Sequence, residues 1–575
     1  MRELNCDILI AGGGTGGTAA ALHAAHLGSK VILLEETDWL GGQLTAQGVS
    51  ALDEHPHIEY FGATQSYYQL RNAIRQHYAR EYRLAPRAYD RPEFNPGNCW
   101  VTKCAFEPTV AVAKIKEMLA PLKDKLDIIY FAQVIELKMQ GDRIESALIR
   151  LAGSTEEVIK VKASCFIDAT ELGDLLPLAD AEYVLGRESK AETGEPDAYD
   201  TPDPDCIQSF TFPFIVEWRP GDNHTIEKPI DYEALKTLQR YSFKDNVIED
   251  LFEGQWSLWT YRRLLAAENF DDASIPFDVC LINTASNDYR GPAALGKSPE
   301  EAARVLAEAR RASLGYLYWM QTEAPRSDGK GFGYPELKLR KDLLGTDDGI
   351  SKTAYFRESR RMKTLDTIKE QDVVVRDGNG NLLNPGPRAK ECWDTVGIGW
   401  YNLDCHRSAT GDPGRYWPTR PFQIPLGALI PVRIENLIPA CKNIGTTHLS
   451  NGCYRLHPVE WAIGQAAGTI AHFSLEETAS LKAIYEDRSK VKDLQRTLLA
   501  WGAPLYWYVD VPIGDEVFSI IQQLAIEGRF KKDPAPDLRF RPDDPLTLEE
   551  ALIWGNKDLT DMPRRYAAMD LGFDL

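Results

Sequence analysis

The chain has 575 residues, enough for two or three domains with substantial cores. Its 85 Asp and Glu exceed its 65 Lys and Arg, and the net charge of −20 argues against nucleic acid and anionic membrane surfaces as partners. Hydrophobic content of 43% and charged content of 26% fit a soluble globular protein; with no bilayer-length apolar run and no room for a signal peptide before the first strand, a cytoplasmic location is expected.

The first predicted element is a buried parallel strand at Ile8 to Ala11. Glycines follow at GxGxxG spacing: Gly12, Gly14 and Gly17, with Thr15 and Gly16 between them. Gly12 suits the tight turn, Gly14 lets a pyrophosphate approach the backbone, and Gly17 lets the next helix pack on the sheet. That helix, alanine-rich from Thr18 to Leu27, presents free N–H groups and a positive dipole end to phosphates. A second strand, Val31 to Leu34, ends at Glu35 and Glu36, either of which can accept from a ribose 2′-OH. Strand, motif, helix, strand and acid in this order form a dinucleotide-binding signature. An acid without a neighbouring base disfavours NADP.

The next stretch, WLGGQLTAQGV, resembles the two-dinucleotide-binding-domain flavoproteins. In them a glycine pair, here Gly41 and Gly42, helps to hold the FAD diphosphate. The following loop, Gln43, Leu44 and Thr45 onward, is similar to a flavin-side loop of the fumarate reductase group. The chain as a whole resembles the family called FAD-dependent oxidoreductase. The resemblance implies FAD as cofactor in preference to NAD, and a Rossmann-like fold.

Further along, Leu52 to Trp100 is polar and aromatic, with a helix expected within Tyr60 to Tyr82. His55 and His57 flank Pro56; without a third ligand they read as surface histidines, not a metal site. A helix is predicted over Phe106 to Leu119 and a strand over Asp127 to Val134, with Val134 at the cofactor by family resemblance. Ile144 to Leu151 and Val158 to Val161 suggest a hairpin. The strand Ser164 to Thr170 leads into ATELGD, where the resemblance implies cofactor contacts at Ala169, Thr170 and Asp174.

The stretch Glu188 to Asp205, rich in Pro, Asp, Glu and Gly, marks a boundary. Beyond it lie predicted strands at Phe210 to Trp218 and Phe277 to Tyr289, and the motif YFRESRRM. Helical spacing would let two of Arg357, Arg360 and Arg361 share a face suited to a carboxylate. Trp393 to His406 has β character. A last strand, Asn436 to Ala440, precedes CKNIGTTHLSNGCYRLHPVEWAIGQAAG, which resembles the closing flavoprotein segment whose helix N-terminus points at the flavin. Asn443, Leu456 and Gly464 are expected at the cofactor on that basis.

The ten cysteines form no CxxC and read as free thiols, with no metal centre. Near the carboxyl terminus, YVDVPIGDEVFSIIQQLAIEGRF and FRPDDPLTLEEA are similar to one surface-layer-homology-like repeat. With a single repeat, the plainer reading is a helical appendage that could serve a homodimer.

The expected fold is α/β. A Rossmann-like FAD-binding domain (1–185 and 426–475) carries an inserted α+β substrate domain (186–425) and a small helical C-terminal region (476–575). The expected function is FAD-dependent oxidation of a small-molecule substrate by hydride transfer to flavin N5. Candidate catalytic residues are His457 as general base, with Arg455, Tyr289, Arg357 and His448, and His406 is a further polar group expected near the flavin. The alternatives are an NAD-dependent dehydrogenase and a polysaccharide- or cell-wall-associated flavoprotein.

Overall fold

The computed structural model describes residues 2–89, 91, 93–153, 158–244, 247–530 and 537–572. Strand β1, Arg2–Ala11, is the axis of a seven-stranded sheet. It pairs in parallel with β2, Val31–Glu35, on one side and with β6, Val158–Asp168, on the other. Beyond β2 lies β3, Leu126–Tyr130; beyond β6 come β5, Arg143–Leu151, and β4, Ala132–Gln140, both antiparallel. The upper part of β6 also pairs in parallel with β7, Leu437–Pro439, so a segment more than 250 residues downstream completes the sheet. The Ile and Leu runs of β1 and β2 are fully buried, as strands covered on both faces must be.

Helix α1, Thr15–His26, lies over the sheet and packs along α2, His457–Glu476. Small residues allow that closeness. A Cβ on Gly464 would lie 2.0 Å from the carbonyl oxygen of Gly16, and one on Gly468 would lie 2.3 Å from that of Ala20.

Three expectations change at this level. The strand read over Asp127 to Val134 is two strands, because Phe131 turns the chain with φ 56°. The segments read separately as Val158 to Val161 and Ser164 to Thr170 form one long strand, β6. The middle region contains a helix that periodicity did not single out, Pro299–Thr322, started by a Ser298–Glu301 capping box with Pro299 in the first turn.

That region has its own core. Arg263–Leu265, Val279–Ile282, Phe214–Trp218 and Leu337–Leu339 form an antiparallel sheet whose buried side chains, Phe214, Val216 and Ile282 among them, pack with Tyr316 and Met320 of the long helix. At the carboxyl end, Phe518–Ile526, Leu548–Ile553 and Arg564–Gly572 are helical, and a Thr547–Glu550 capping box starts the second of them. Among the described residues, no helix is long and apolar enough to cross a membrane.

Candidate active site

The glycine-rich turn forms one wall of a cavity of about 400 Å3. Gly12 leaves β1 with φ +96°, and a Cβ there would lie 2.3 Å from the carbonyl oxygen of Ala169 at the end of β6. Gly14 precedes α1 in extended conformation without a side-chain cap. Thr15 Oγ1 donates to Gly41 O at 2.9 Å, tying the glycine pair to the helix start. Of the residues expected at a cofactor, Gly12, Gly14, Glu35, Glu36, Gly42, Ala169, Thr170 and Asp174 line this cavity.

Glu35 Oε2 accepts from the Gly13 N–H at 3.0 Å, and Oε1 accepts from the N–H and hydroxyl of Thr37. Burial pushes Glu35 and Glu36 up to about 7, against those hydrogen bonds for Glu35 and with repulsion from Asp174 for Glu36. Hydrogen bonds from a ligand would stabilise their ionised forms. The dinucleotide fits here. Gln47 Oε1 and Glu171 Oε1 are buried on the cavity wall without hydrogen-bond partners, as is nearby Gln43 Oε1. A Cβ on Gly14 would come 2.7 Å from Glu171 Oε1, so the open cradle depends on its absence.

The other residues expected at the cofactor do not line this cavity, and each has contacts of its own. Gly16 and Gly464 bring α1 and α2 together, and a Cβ on Gly17 would lie 1.8 Å from the Gly12 carbonyl oxygen. Val134 is half-buried in β4. Asn443 donates to Asp168 O at 3.0 Å and accepts from the Cys441 N–H, holding the turn after β7. Leu456 is the residue that precedes α2, and Thr45 donates back to Leu40 O at 2.6 Å beside buried Leu44. Sequence reasoning missed Lys442, which is fully buried between Glu171 at 2.5 Å and Glu460 at 3.1 Å. Glu460 in turn accepts from Gln43 Nε2 at 2.6 Å.

A second cavity, of about 500 Å3, adjoins the same chain segments. The loop after Gly42 lines the first cavity with Ala46 and Gln47 and the second with Asp53 and Glu54. Residues 354–357 alternate likewise: Ala354 and Phe356 face the first, Tyr355 and Arg357 the second. This segment is extended, with Tyr355 bridged to Thr211, so the helical reading of YFRESRRM fails. Its arginines diverge to separate partners: Arg357 to the buried Asp288 at 3.0 Å, Arg360 to the half-exposed Asp174 at 3.0 Å, and Arg361 to the buried Glu358 and to Glu188.

Two of the expected catalytic residues line this second cavity, Arg357 and Arg455. Arg455 donates to the Tyr355 hydroxyl at 2.7 Å and to Asp404 Oδ2 at 3.1 Å. The other three are engaged elsewhere. Both ring nitrogens of His457 meet backbone: Nδ1 accepts from Asp53 N–H at 3.1 Å, and Nε2–H donates to Val49 O at 3.0 Å. Burial lowers its pKa to about 4, so it is neutral and fastens the Val49–Asp53 loop to the start of α2. Tyr289 donates to Glu308 at 2.6 Å on the long helix. His448 lies in a buried ionic cluster, donating to Glu358 at 3.0 Å.

Two histidines line the second cavity, His55 and His406, and His406 is the one held by carboxylates. Its Nδ1–H donates to the fully buried Asp288 at 2.5 Å, and Nε2 lies 3.4 Å from Asp404. Desolvation and Arg357 pull its pKa down, but Asp288 and Asp404 outweigh them and raise it above the ordinary imidazole value. The sequence placed Asp404 and His406 at the end of a β stretch; nothing in it signalled that Asp288, more than a hundred residues earlier, would orient the ring. Of the flanking pair, His55 is buried, hydrogen-bonded to Gly62 O, and depressed to about 3. All ten cysteines are free thiols.

The family model described as FAD dependent oxidoreductase matches residues 7–498. That match stops short of the segment likened to a surface-layer-homology repeat. No curated protein matches the chain. Among solved structures, p-nitrophenol 4-monooxygenase PnpA from Pseudomonas putida is 12% identical, with 100% of this chain and 98% of that chain covered and a TM-score of 0.33. Escherichia coli quinol fumarate reductase FrdA is 10% identical over 100% of this chain and 89% of that chain, with a TM-score of 0.31. L-proline dehydrogenase from P. horikoshii is 14% identical over 33% of this chain, a match spanning 26% of the dehydrogenase's own length, with a TM-score of 0.18.

Proposed function

Since the chain belongs to the FAD dependent oxidoreductase family, we propose that it oxidises a small organic molecule held in the second cavity, with His406 as the base that takes up the substrate's proton. The Asp288–His406 pair carries this reading. A fully buried carboxylate holds Nδ1 at 2.5 Å, which leaves Nε2, 3.4 Å from Asp404, as the ring nitrogen able to accept a proton.

FAD, when bound, supplies a two-electron acceptor; the protein supplies orientation and electrostatics. The turn at Gly12 and Gly14, the glycine pair and Glu35 would hold its adenosine and diphosphate parts. Arg455 and Tyr355 would hold the reacting oxygen or nitrogen of the substrate. The proton on that atom passes to His406 Nε2 as the adjacent C–H bond gives up a hydride. The raised pKa of His406 suits a base working near or slightly above neutrality.

The test is anaerobic bleaching of the flavin by a panel of amines, amino acids, hydroxy acids and sugars. Once a reducing compound is found, His406→Asn should slow bleaching on the order of 10²–10⁴-fold with FAD still bound. An unchanged rate would remove His406 from this role.

A further inference from the structure

The second cavity has a chemical character that narrows the substrate class, taking as given that it is the substrate site. Its arginines are already neutralised. Arg262 pairs with Asp53 at 2.9 Å, Arg357 with Asp288 at 3.0 Å and Arg455 with Asp404 at 3.1 Å. Glu54, also on the wall, is paired with Arg71 at 2.9 Å. Among the described lining residues, no arginine or lysine lacks a carboxylate partner. Asp288 and Asp404 also hold His406, so a ligand carboxylate or phosphate would enter a largely buried space where every cationic group already has a carboxylate beside it.

The walls instead alternate flat rings with groups that both donate and accept. Trp100 stacks on Tyr261 with ring centroids 4.5 Å apart, and Trp400 and Tyr401 stand elsewhere on the wall. Five buried polar atoms of the described lining residues have no hydrogen-bond partner: the acceptor Asn283 Oδ1 and the donors Trp100 Nε1, Arg262 Nε, Arg357 Nε and Arg455 Nε. Asn283 is 3% exposed, so its unpaired oxygen is costly unless a ligand donates to it. Asn402 and Thr284 add further uncharged donors and acceptors. A ligand that satisfies such a site presents apolar C–H faces to aromatic faces and hydroxyls, each donor and acceptor at once, around its edge. The volume of about 500 Å3 lies within the range of roughly 300–1,000 Å3 usual for small-molecule pockets.

We propose that the second cavity binds a neutral polyhydroxylated ring, a sugar or cyclitol, in preference to a carboxylate, amine or phosphate. Asn283 Oδ1 accepts from one of its hydroxyls, and Trp100 packs on a C–H face.

The test uses the FAD-loaded protein and reads two signals. Tryptophan fluorescence, to which Trp100 and Trp400 contribute, reports binding; anaerobic flavin absorbance reports oxidation. The probes are glucose, cellobiose, myo-inositol, glucuronate and an alkylamine. A saturable fluorescence change is expected with at least one neutral probe, with glucuronate at least tenfold weaker than glucose. Asn283→Ala and Trp100→Phe should each weaken that binding by about tenfold or more without loss of FAD. Saturable binding of a neutral ring without flavin bleaching would support the class and sink the oxidation reading. Bleaching by the amine or by glucuronate in preference to the neutral rings would overturn the class and leave the oxidation reading standing. No saturable change with any neutral probe would overturn the class as well.

Discussion

The backbone N–H of Asp53 donates to His457 Nδ1 at 3.1 Å, joining positions 404 residues apart in the chain. Through the second bond, to Val49 O, the imidazole spans both ends of the loop that runs from the first cavity to the second. His457→Ala would strip partners from a buried N–H and a buried carbonyl, at about 1–3 kcal/mol for each group left unsatisfied. The expected outcome is a lower thermal midpoint with the pH–rate profile unmoved. A lost or displaced pH limb would show instead that His457 titrates during the reaction.

His406 should set that limb. Its folded pKa is raised, so the neutral, proton-accepting form appears only as pH climbs past a value above the ordinary 6.5. Flavin reduction should therefore speed up with rising pH through that value. Asp288→Asn removes the carboxylate at 2.5 Å and should shift the limb to lower pH. The same sign governs stability. The ion pair contributes most below the unfolded pKa and is lost as pH rises through the raised folded value, so His406→Asn should cost more at pH 6 than at pH 9. Stopped-flow reduction and thermal melts across that range check both statements.

Much of the cofactor half was legible because it rests on local rules. The turn at Gly12, the helix from Thr15 and the acid at Glu35 are set by spacing within one βαβ unit, and eight of the expected residues line the first cavity. The substrate half was not, because its chemistry is assembled by long-range pairing. Asp288 reaches His406 across 118 positions, and Arg262 reaches Asp53 across 209. The YFRESRRM reading failed for a related reason. Helical spacing would let two of the three arginines share a face, but each finds a different carboxylate, and those pairings go with an extended backbone. Gly464 belongs to the legible half: small residues after Pro458 permit close packing, and its missing Cβ lets α2 approach the Gly16 carbonyl of α1.

Gly464→Ala should push α2 away from α1, since the new methyl would lie 2.0 Å from the Gly16 carbonyl oxygen. Overpacking of this kind costs typically 1–3 kcal/mol. The thermal midpoint should fall, and FAD content should fall with it because α1 begins at the cradle. A midpoint unchanged within error would mean that the helices have room to separate.

Arg455→Lys keeps the charge but loses the fork that reaches Tyr355 and Asp404 together. KM should rise while FAD content stays unchanged. Arg455→Ala strands Asp404 and should cost about 1.5–3 kcal/mol in kcat/KM, the range of a charged hydrogen bond. If FAD is lost from either variant, Arg455 supports the cofactor and not the substrate.

The most direct test of the cofactor cradle, on which the whole reading rests, is to identify and quantify what the purified protein releases on denaturation, for wild type and for Gly14→Asp. The wild type should be yellow and release FAD, because FMN would leave Glu35 and the glycine turn unused and the family selects FAD over NAD. Gly14→Asp should be folded and nearly colourless, since its side chain would enter the space beside Glu171 and bring a negative charge against the diphosphate. Release of FMN or NAD by the wild type, or full FAD content in the variant, would contradict this assignment.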